Sequence, residues 1–306
     1  FFYYFILFYF ILFYFLKLEC IIFFIIFFII IMKCYSFKEL NFKYGIFDKS
    51  IDCTYILHLE NNNRLHNIQI QLKKYKPTKK IFIYLNKGFK TCKKNLFKQQ
   101  SNYDIIHSYL TIFKHSLKHN FNSILILEDD FIFKRLILQE EISIINNFCL
   151  ENQQRIFMLS MGIFPILYYS INKDFYKSIL SYSSHNMIYS RKMRIKLIKE
   201  SKKINLCGDF DYYIGNSSYK YFYNKPLIYQ KYEKTENQDN WPLKYLKHLI
   251  LIYIQILNFE KNPENAFIMH YKISLVMNKL LLISILLIII YSIYLIYLHI
   301  KILINI

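Results

Sequence analysis

Between two long apolar ends, the chain alternates runs of strand period with runs of helix period. Cys53–Leu59 (CTYILHL) joins β-branched and aromatic residues without a turn residue, which predicts a buried strand. In Arg64–Lys74, Leu65, Ile68 and Leu72 recur at helical spacing. Lys80–Leu85 (KIFIYL) predicts a second strand, closed by Asn86–Gly88. Tyr103–His119 sets Ile105, Ile106, Tyr109, Ile112, Phe113 and Leu117 on one helical face. Asn120–Asn122 then turns the chain into a third strand, Ser123–Leu127. Strands alternating with helices of this size predict an α/β domain over residues 50–265, with a mixed, mostly parallel sheet covered by helices. In such sheets ligands bind beyond the carboxyl ends of the strands.

The ends read differently. Residues 1–31 carry Lys17 and Glu19 as their charges, and the first methionine is Met32. This segment is expected to be either a membrane-spanning helix or an untranslated read-through. It has no basic leader or small-residue cleavage site of the kind a signal peptide carries. At the other end, Leu280–Leu298 is free of charge and spans about 28 Å as a helix, close to one hydrocarbon core. A transmembrane helix is expected over residues 274–300, with Tyr291, Tyr294 and Tyr297 tolerated inside it. Lys272 and Lys279 precede that span, and this bias leans toward a cytoplasmic face for the domain.

Composition adds little about the fold and something about partners. The chain is 54% hydrophobic and 19% aromatic, rich in Ile, Phe, Tyr, Lys and Asn, with 5 Gly and 5 Pro. A formal charge of +19 accommodates phosphate-bearing partners. The lysines are scattered rather than striped, and no aromatic–basic repeat is present, so a nucleic-acid partner is not expected. None of the six cysteines (Cys20, Cys34, Cys53, Cys92, Cys149 and Cys207) lies in a CxxC pair, which speaks against a zinc site. They read as buried or free thiols, with one or two disulfides only if the domain is lumenal.

The chemistry concentrates at Glu128, Asp129 and Asp130, directly after the third strand. Adjacent carboxylates repel, and burying one unpaired is costly. A hard divalent cation offsets that repulsion and bridges to a diphosphate. In an extended chain Glu128 and Asp130 share one face, leaving Asp129 to pair with the protein. The plainer reading is a solvated acidic turn, but the apolar Phe131–Phe133 resumes at once. A second pair, Asp209 and Asp211, shows the same spacing. One of the two caps a helix starting near Phe210, or the pair supplies a general base to the first cluster.

These residues and their order resemble glycosyltransferase family 25, the lipopolysaccharide-type glycosyltransferases and procollagen galactosyltransferases. The resemblance rests on ILILEDDFIF preceded by the helix YDIIHSYLTIFKHSLKHNFN, and on DCTYILHLENNNRLHNI with Arg64 in the arginine place. It extends through SSHNMIYSRKMRIKLIKE with His185 in the histidine place, GDFDYYIG, and NKPLIYQ with Gln230 in the glutamine place. Thr235–Trp241 (TENQDNW) is similar to divergent viral-type members. Two departures stand out: His107–Ser108 is reversed relative to the family, and Met193 replaces a glycine. The resemblance implies a GT-A fold and transfer of a hexose from a UDP-sugar to a protein, glycan or lipid-linked acceptor, assisted by Mn²⁺ or Mg²⁺. It implies Asp130 and Glu128 at the metal, and Arg64, Glu128, Asp129, His185 and Gln230 around the nucleotide-sugar. Asp211, or less favourably Asp209, becomes the catalytic carboxylate, and Trp241 a packing or sugar-stacking ring. Alternatives are a membrane-anchored, non-catalytic binding protein or another nucleotide-using, metal-dependent transferase.

Overall fold

The computed structural model describes residues 34–232 and 247–304. The apolar segment 1–31 and Trp241 lie outside the described residues. Strands β1 (Tyr35–Asn41), β2 (Cys53–Leu59), β3 (Lys80–Asn86), β4 (Ser123–Glu128), β6 (Met158–Ser160), β7 (Phe164–Ser170), β8 (Phe175–Tyr182), β9 (Asn186–Ser190) and β10 (Lys220–Tyr223) form one nine-stranded sheet. Its order is β1-β3-β2-β4-β9-β6-β10-β8-β7. β5 (Phe131–Phe133) and β11 (Ile228–Gln230) form a separate antiparallel pair. The helices are α1 (Leu65–Lys74), α2 (Ser101–Lys118), α3 (Gln139–Glu151), α4 (Arg191–Lys199), α5 (Ser201–Cys207), α6 (Phe210–Gly215), α7 (Lys247–Leu257) and α8 (Pro263–Ile304).

β2, β3 and β4 are parallel neighbours, as the strand–helix alternation predicts. The other half of the sheet is mixed. β9 runs antiparallel between β4 and β6, and β7–β8 is an antiparallel hairpin. Alternation along β4 explains why it sits centrally. Leu125 and Leu127 enter the core on the α1/α3 face, while Ile124 and Ile126 enter the core on the α2 face. Both faces are thus covered, as a parallel sheet requires. The fully buried Arg194 on α4 donates to the carbonyls of Phe121 (2.6 Å) and Asn122 (3.0 Å), fixing the turn that feeds β4.

β2 connects through α1 to β3 on one side, and β3 returns through α2 to β4 on the other. The strand order therefore reverses between β2 and β4. Leu59 and Glu128 lie at their carboxyl ends, the place where ligands bind in sheets of this kind.

At the far edge, α8 covers β7. The Asn278 side chain donates to the Tyr168 carbonyl and accepts from its N–H, both at 3.0 Å, and the Ser274 hydroxyl donates to the Pro165 carbonyl at 2.6 Å. The free backbone of an edge strand is thereby satisfied by a helix rather than left open. Pro263–Ile300 is long and apolar enough to cross a membrane, and the charge-free window within it is not covered by the domain.

The cysteines divide. Cys34 and Cys92 form a disulfide with Cα atoms 5.5 Å apart, tying the start of β1 to the loop after β3. Cys53 and Cys149 are buried thiols, and Cys207 is exposed.

Candidate functional site

The EDD segment does not continue as an extended strand. β4 ends at Glu128, and Asp129–Asp130 form the turn into β5. The alternation expected through all three carboxylates therefore stops at Glu128, and each carboxylate meets a different set of partners.

Asp129 is the most heavily held. Its Oδ2 faces the His58 Nδ1 at 3.0 Å and accepts from the Leu59 N–H (3.1 Å) and the Asn62 amide (2.5 Å). Its Oδ1 accepts from the Arg64 guanidinium at 2.9 Å. Burial alone would raise its pKa. The His58 hydrogen bond, the Arg64 charge and the Asn62 amide outweigh burial and hold it below the usual carboxylate range. Asp129 thus pairs with the protein, as the middle carboxylate is expected to do. Its donors come from the end of β2 and the segment leading to α1.

Asp130 is 4% exposed and less well compensated. Its Oδ2 accepts from Arg64 (3.3 Å) and from the Gln230 amide on β11 (3.1 Å). Its Oδ1 is buried with no hydrogen-bond partner. Burial first, then the Asp129 charge, push its pKa up to about 7, against the restraint of Arg64 and Gln230. A buried, unpartnered carboxylate oxygen is uncommon and calls for an explanation such as a missing ion.

Glu128 faces α2 and the loop before β9. Its Oε1 accepts from the Tyr109 hydroxyl at 2.9 Å, and Ser184 lies at 3.5 Å. The Ser184 hydroxyl gives its one proton to Asp211 Oδ1 and so lies between Asp211 and Glu128. Burial, then the charges of Asp130 and Asp211, raise the Glu128 pKa well above its ordinary range. Burial and the neighbouring Asp209 push Asp211 up to about 6. Ser184 and the fully buried Lys220 pull it back down. Lys220 Nζ donates to the Ser183 carbonyl at 3.1 Å.

The sequence-derived residues thus divide by location. Arg64, Glu128, Asp129, Asp130, Asp211 and Gln230 converge at the end of β4. Asp209 does not join them through its side chain, which caps α6 by accepting from the Tyr212 N–H at 2.9 Å. The left-handed Gly208 (φ 71°) just before it lets the chain turn out of α5. His185 is buried beside the site, one ring nitrogen bonded to the Ser183 hydroxyl and the other covered by the Asn186 amide nitrogen at 2.5 Å. Burial, then the Lys220 charge, push its pKa down to about 3, so it is neutral. It contributes through its backbone, whose carbonyl accepts from the Glu128 N–H at 2.9 Å. That arrangement leaves neither nitrogen for a metal or a donor sugar.

Asn186 anchors this corner. Its amide donates to the carbonyls of Gly162 (2.9 Å) and Ile228 (3.0 Å) and so ties β9 to β11, which carries Gln230. Gly162 is required there, because a Cβ would lie 2.0 Å from the Ile228 carbonyl oxygen.

Reasoning from sequence overlooked His58, Asn62, Ser184 and Lys220. The polar His58 near the end of an otherwise apolar strand and the ENNN run after it offered a signal for the first two. Ser184 and Lys220 carry no pattern that distinguishes them.

Among the described residues no three His, Cys, Asp or Glu side chains converge as a metal cluster. A hard cation here would be held by Asp130, through its unpartnered Oδ1, with Glu128 as the other carboxylate. Such an ion draws the rest of its shell from phosphate oxygens and water, which Mg²⁺ and Mn²⁺ accept.

No protein-family model and no curated protein matches the chain. A solved structure described as "Crystal Structure of A197 from STIV" is similar at 9% identity, covering 60% of this chain and 86% of that one, with a TM-score of 0.37.

Proposed function

We propose that the chain is a membrane-anchored, divalent-cation-dependent glycosyltransferase of GT-A type. It moves a hexose from a UDP-sugar to a protein, glycan or lipid-linked acceptor. The observation that carries this reading is the unpartnered Oδ1 of Asp130, buried at the point where the strand order reverses. Glu128 lies two residues earlier at the end of β4, and a basic side chain, Arg64, already faces Asp129 and Asp130.

In this reading Arg64 turns toward the donor's phosphates, and Gln230 keeps Asp130 oriented. Bound at Asp130 and Glu128, Mn²⁺ or Mg²⁺ would act as a Lewis acid toward the diphosphate. In a direct displacement Asp211 takes the proton of the acceptor hydroxyl. The acceptor oxygen bonds to the sugar's anomeric carbon as the bond from that carbon to the diphosphate breaks, releasing UDP. A carboxylate with a pKa of about 6 is ionised at neutral pH and is a better proton acceptor than one of ordinary pKa. Ser184 orients Asp211 by donating to it.

The charge-free run of α8 serves as the anchor. The Cys34–Cys92 disulfide favours placing the domain in an oxidising compartment, against the lean of the flanking lysines.

The test is a donor screen over UDP-sugars, with and without Mn²⁺, on the full chain in detergent or nanodiscs. Cation-dependent release of UDP, lost in Asp130→Ala, is the expected result. Nucleoside triphosphates run in parallel separate this activity from nucleotidyl transfer. A folded protein that turns over no donor sinks the enzyme reading and leaves a binding role.

A further inference from the structure

We propose that the tip of the β7–β8 hairpin, carrying Tyr169, Ile171 and Lys173, docks into the headgroup layer of the bilayer that receives α8. The inference rests on the membrane-anchor reading and goes beyond it, because it fixes which surface of the domain meets the lipid.

The argument starts from register. Ser274 meets Pro165 and Asn278 meets Tyr168, so α8 runs in the same direction as β7. Asn278 is the last polar side chain of α8 bonded to the sheet edge, and the charge-free run begins at Leu280. No linker intervenes, because α8 is one continuous helix from Pro263 to Ile304.

β7 also continues past its contact with Asn278. Ile171 lies three residues beyond Tyr168, about 10 Å further along the strand direction. At about 1.5 Å per residue, α8 covers that distance by Ile285, inside the charge-free run. The apolar residues of this part of α8, Leu281 and Ile285 included, are exposed and free to meet lipid.

The tip has the chemistry of an interface. Tyr169 and Ile171 are large apolar groups 48% and 47% exposed. Lys173 at the turn is an exposed cation, and Lys279, exposed on α8 just before the charge-free run, lies about 9 Å short of the level of the tip. Tyrosine favours the membrane–water boundary, and lysines favour anionic headgroups. Asp174 is the acidic neighbour, and it is partly buried.

The consequence is a fixed pose. At its other end α8 touches the site, with Phe267 packed edge-on to His185 at 6.0 Å and Glu264 accepting from the Arg135 N–H at 2.8 Å. From Phe267 to Leu280 the helix rises about 20 Å. A span plus a docked hairpin gives two points of attachment, so the domain holds the carboxylates at the end of β4 at a set height instead of swinging on the helix.

The experiment places a single tryptophan by Ile171→Trp in the full chain with Trp241→Phe, reconstituted in phosphatidylcholine–phosphatidylserine vesicles. Brominated phosphatidylcholine then quenches by contact, with bromines either near the headgroups or deep in the acyl chains. Tyr291→Trp in the same background reports on the span itself. The expected result is that shallow bromines at least halve emission from position 171 and deep bromines act less, while position 291 responds to deep bromines. Tyr169→Trp gives the same readout if the first variant does not fold. Quenching at 291 without quenching at 171 and 169 overturns the docking inference and leaves the anchor intact. No quenching at any of these positions overturns the anchor as well. Shielding of 171 that depends on protein concentration and not on lipid assigns the tip to a second copy and overturns the proposal.

Discussion

Replacing Asp130 by asparagine separates a built site from an ordinary ion pair, because the two roles change stability in opposite directions. The side chain is buried, and its pKa is pushed from an ordinary 3.8 up to about 7. A rise of that size corresponds to roughly 4 kcal/mol between the protonated and ionised forms. A carboxyl group whose folded pKa lies above its unfolded value contributes its stability fully below about pH 4 and loses it as pH rises through 7. The cation-free protein should therefore melt lower at pH 8 than at pH 5, by something on the order of 10 °C for a domain of this size. Asp130→Asn keeps the shape, removes the charge and should lessen this slope by Asp130's share, Glu128 and Asp211 keeping theirs, leaving the variant as stable as the parent at pH 5 and more stable at pH 8. Mn²⁺ should raise the parent's Tm more at pH 8 than at pH 5, because it takes the ionised form, and should not raise that of the variant. Asp129→Asn is the contrast. It breaks an anion held by His58, the Leu59 N–H, Asn62 and Arg64, and should cost about 3–5 kcal/mol at neutral pH. Differential scanning fluorimetry at the two pH values, with and without cation, reads all of this. If Asp130→Asn destabilises the protein more at pH 8 than at pH 5, Asp130 is an ionised structural partner of Arg64 and the argument for a cation there fails.

Three further outcomes follow from the same geometry. Ser184→Ala removes the hydroxyl that donates to Asp211, so kcat should fall about 10–100-fold, and the acidic limb of the pH–rate profile should move above about pH 6; an unchanged profile refutes the orienting role. Lys220→Met preserves volume in a fully buried position but removes a charge that holds the Asp211 pKa down, so activity lost at pH 6 should return by pH 8; loss that is equal at both pH values points to packing alone. Cys34 and Cys92 close a loop of sequence separation 58, worth about 4 kcal/mol of chain entropy, so Cys34→Ser, Cys92→Ser and the double variant should lower Tm by the same amount; peptide mapping of the unreduced parent should recover the Cys34–Cys92 pair, and its absence from protein made in an oxidising compartment refutes the assignment.

The legible parts of this protein were those whose signal is local. CTYILHL, KIFIYL and SILIL are apolar on consecutive positions because both faces of β2, β3 and β4 are covered, and a run with no polar break reads as a buried strand in any neighbourhood. β1 (YSFKELN) and the β7–β8 hairpin were not legible, because edge strands alternate burial imperfectly and the hairpin carries register shifts. Asp209 illustrates a signal shared by two causes: a carboxylate just before a helix looks the same whether it caps the helix or serves a site, and the geometry assigns it to the Tyr212 N–H. The carboxylates after β4 were found because three in a row against apolar flanks are costly, but their division of labour was not. Alternation predicted a shared face for Glu128 and Asp130, and the turn at Asp129–Asp130 gave each its own partners instead. What brings Asp211 to Glu128 is not a motif at all. β9 lies antiparallel beside β4, with the Glu128 N–H bonded to the His185 carbonyl, and that pairing carries the preceding Ser184 to the end of β4. The α6 helix then presents Asp211 to the same hydroxyl. One hydroxyl lying between two carboxylates has no period and no composition. It becomes visible only when the order of strands is known, which is why a site can be half read from its charges and completed only by its topology.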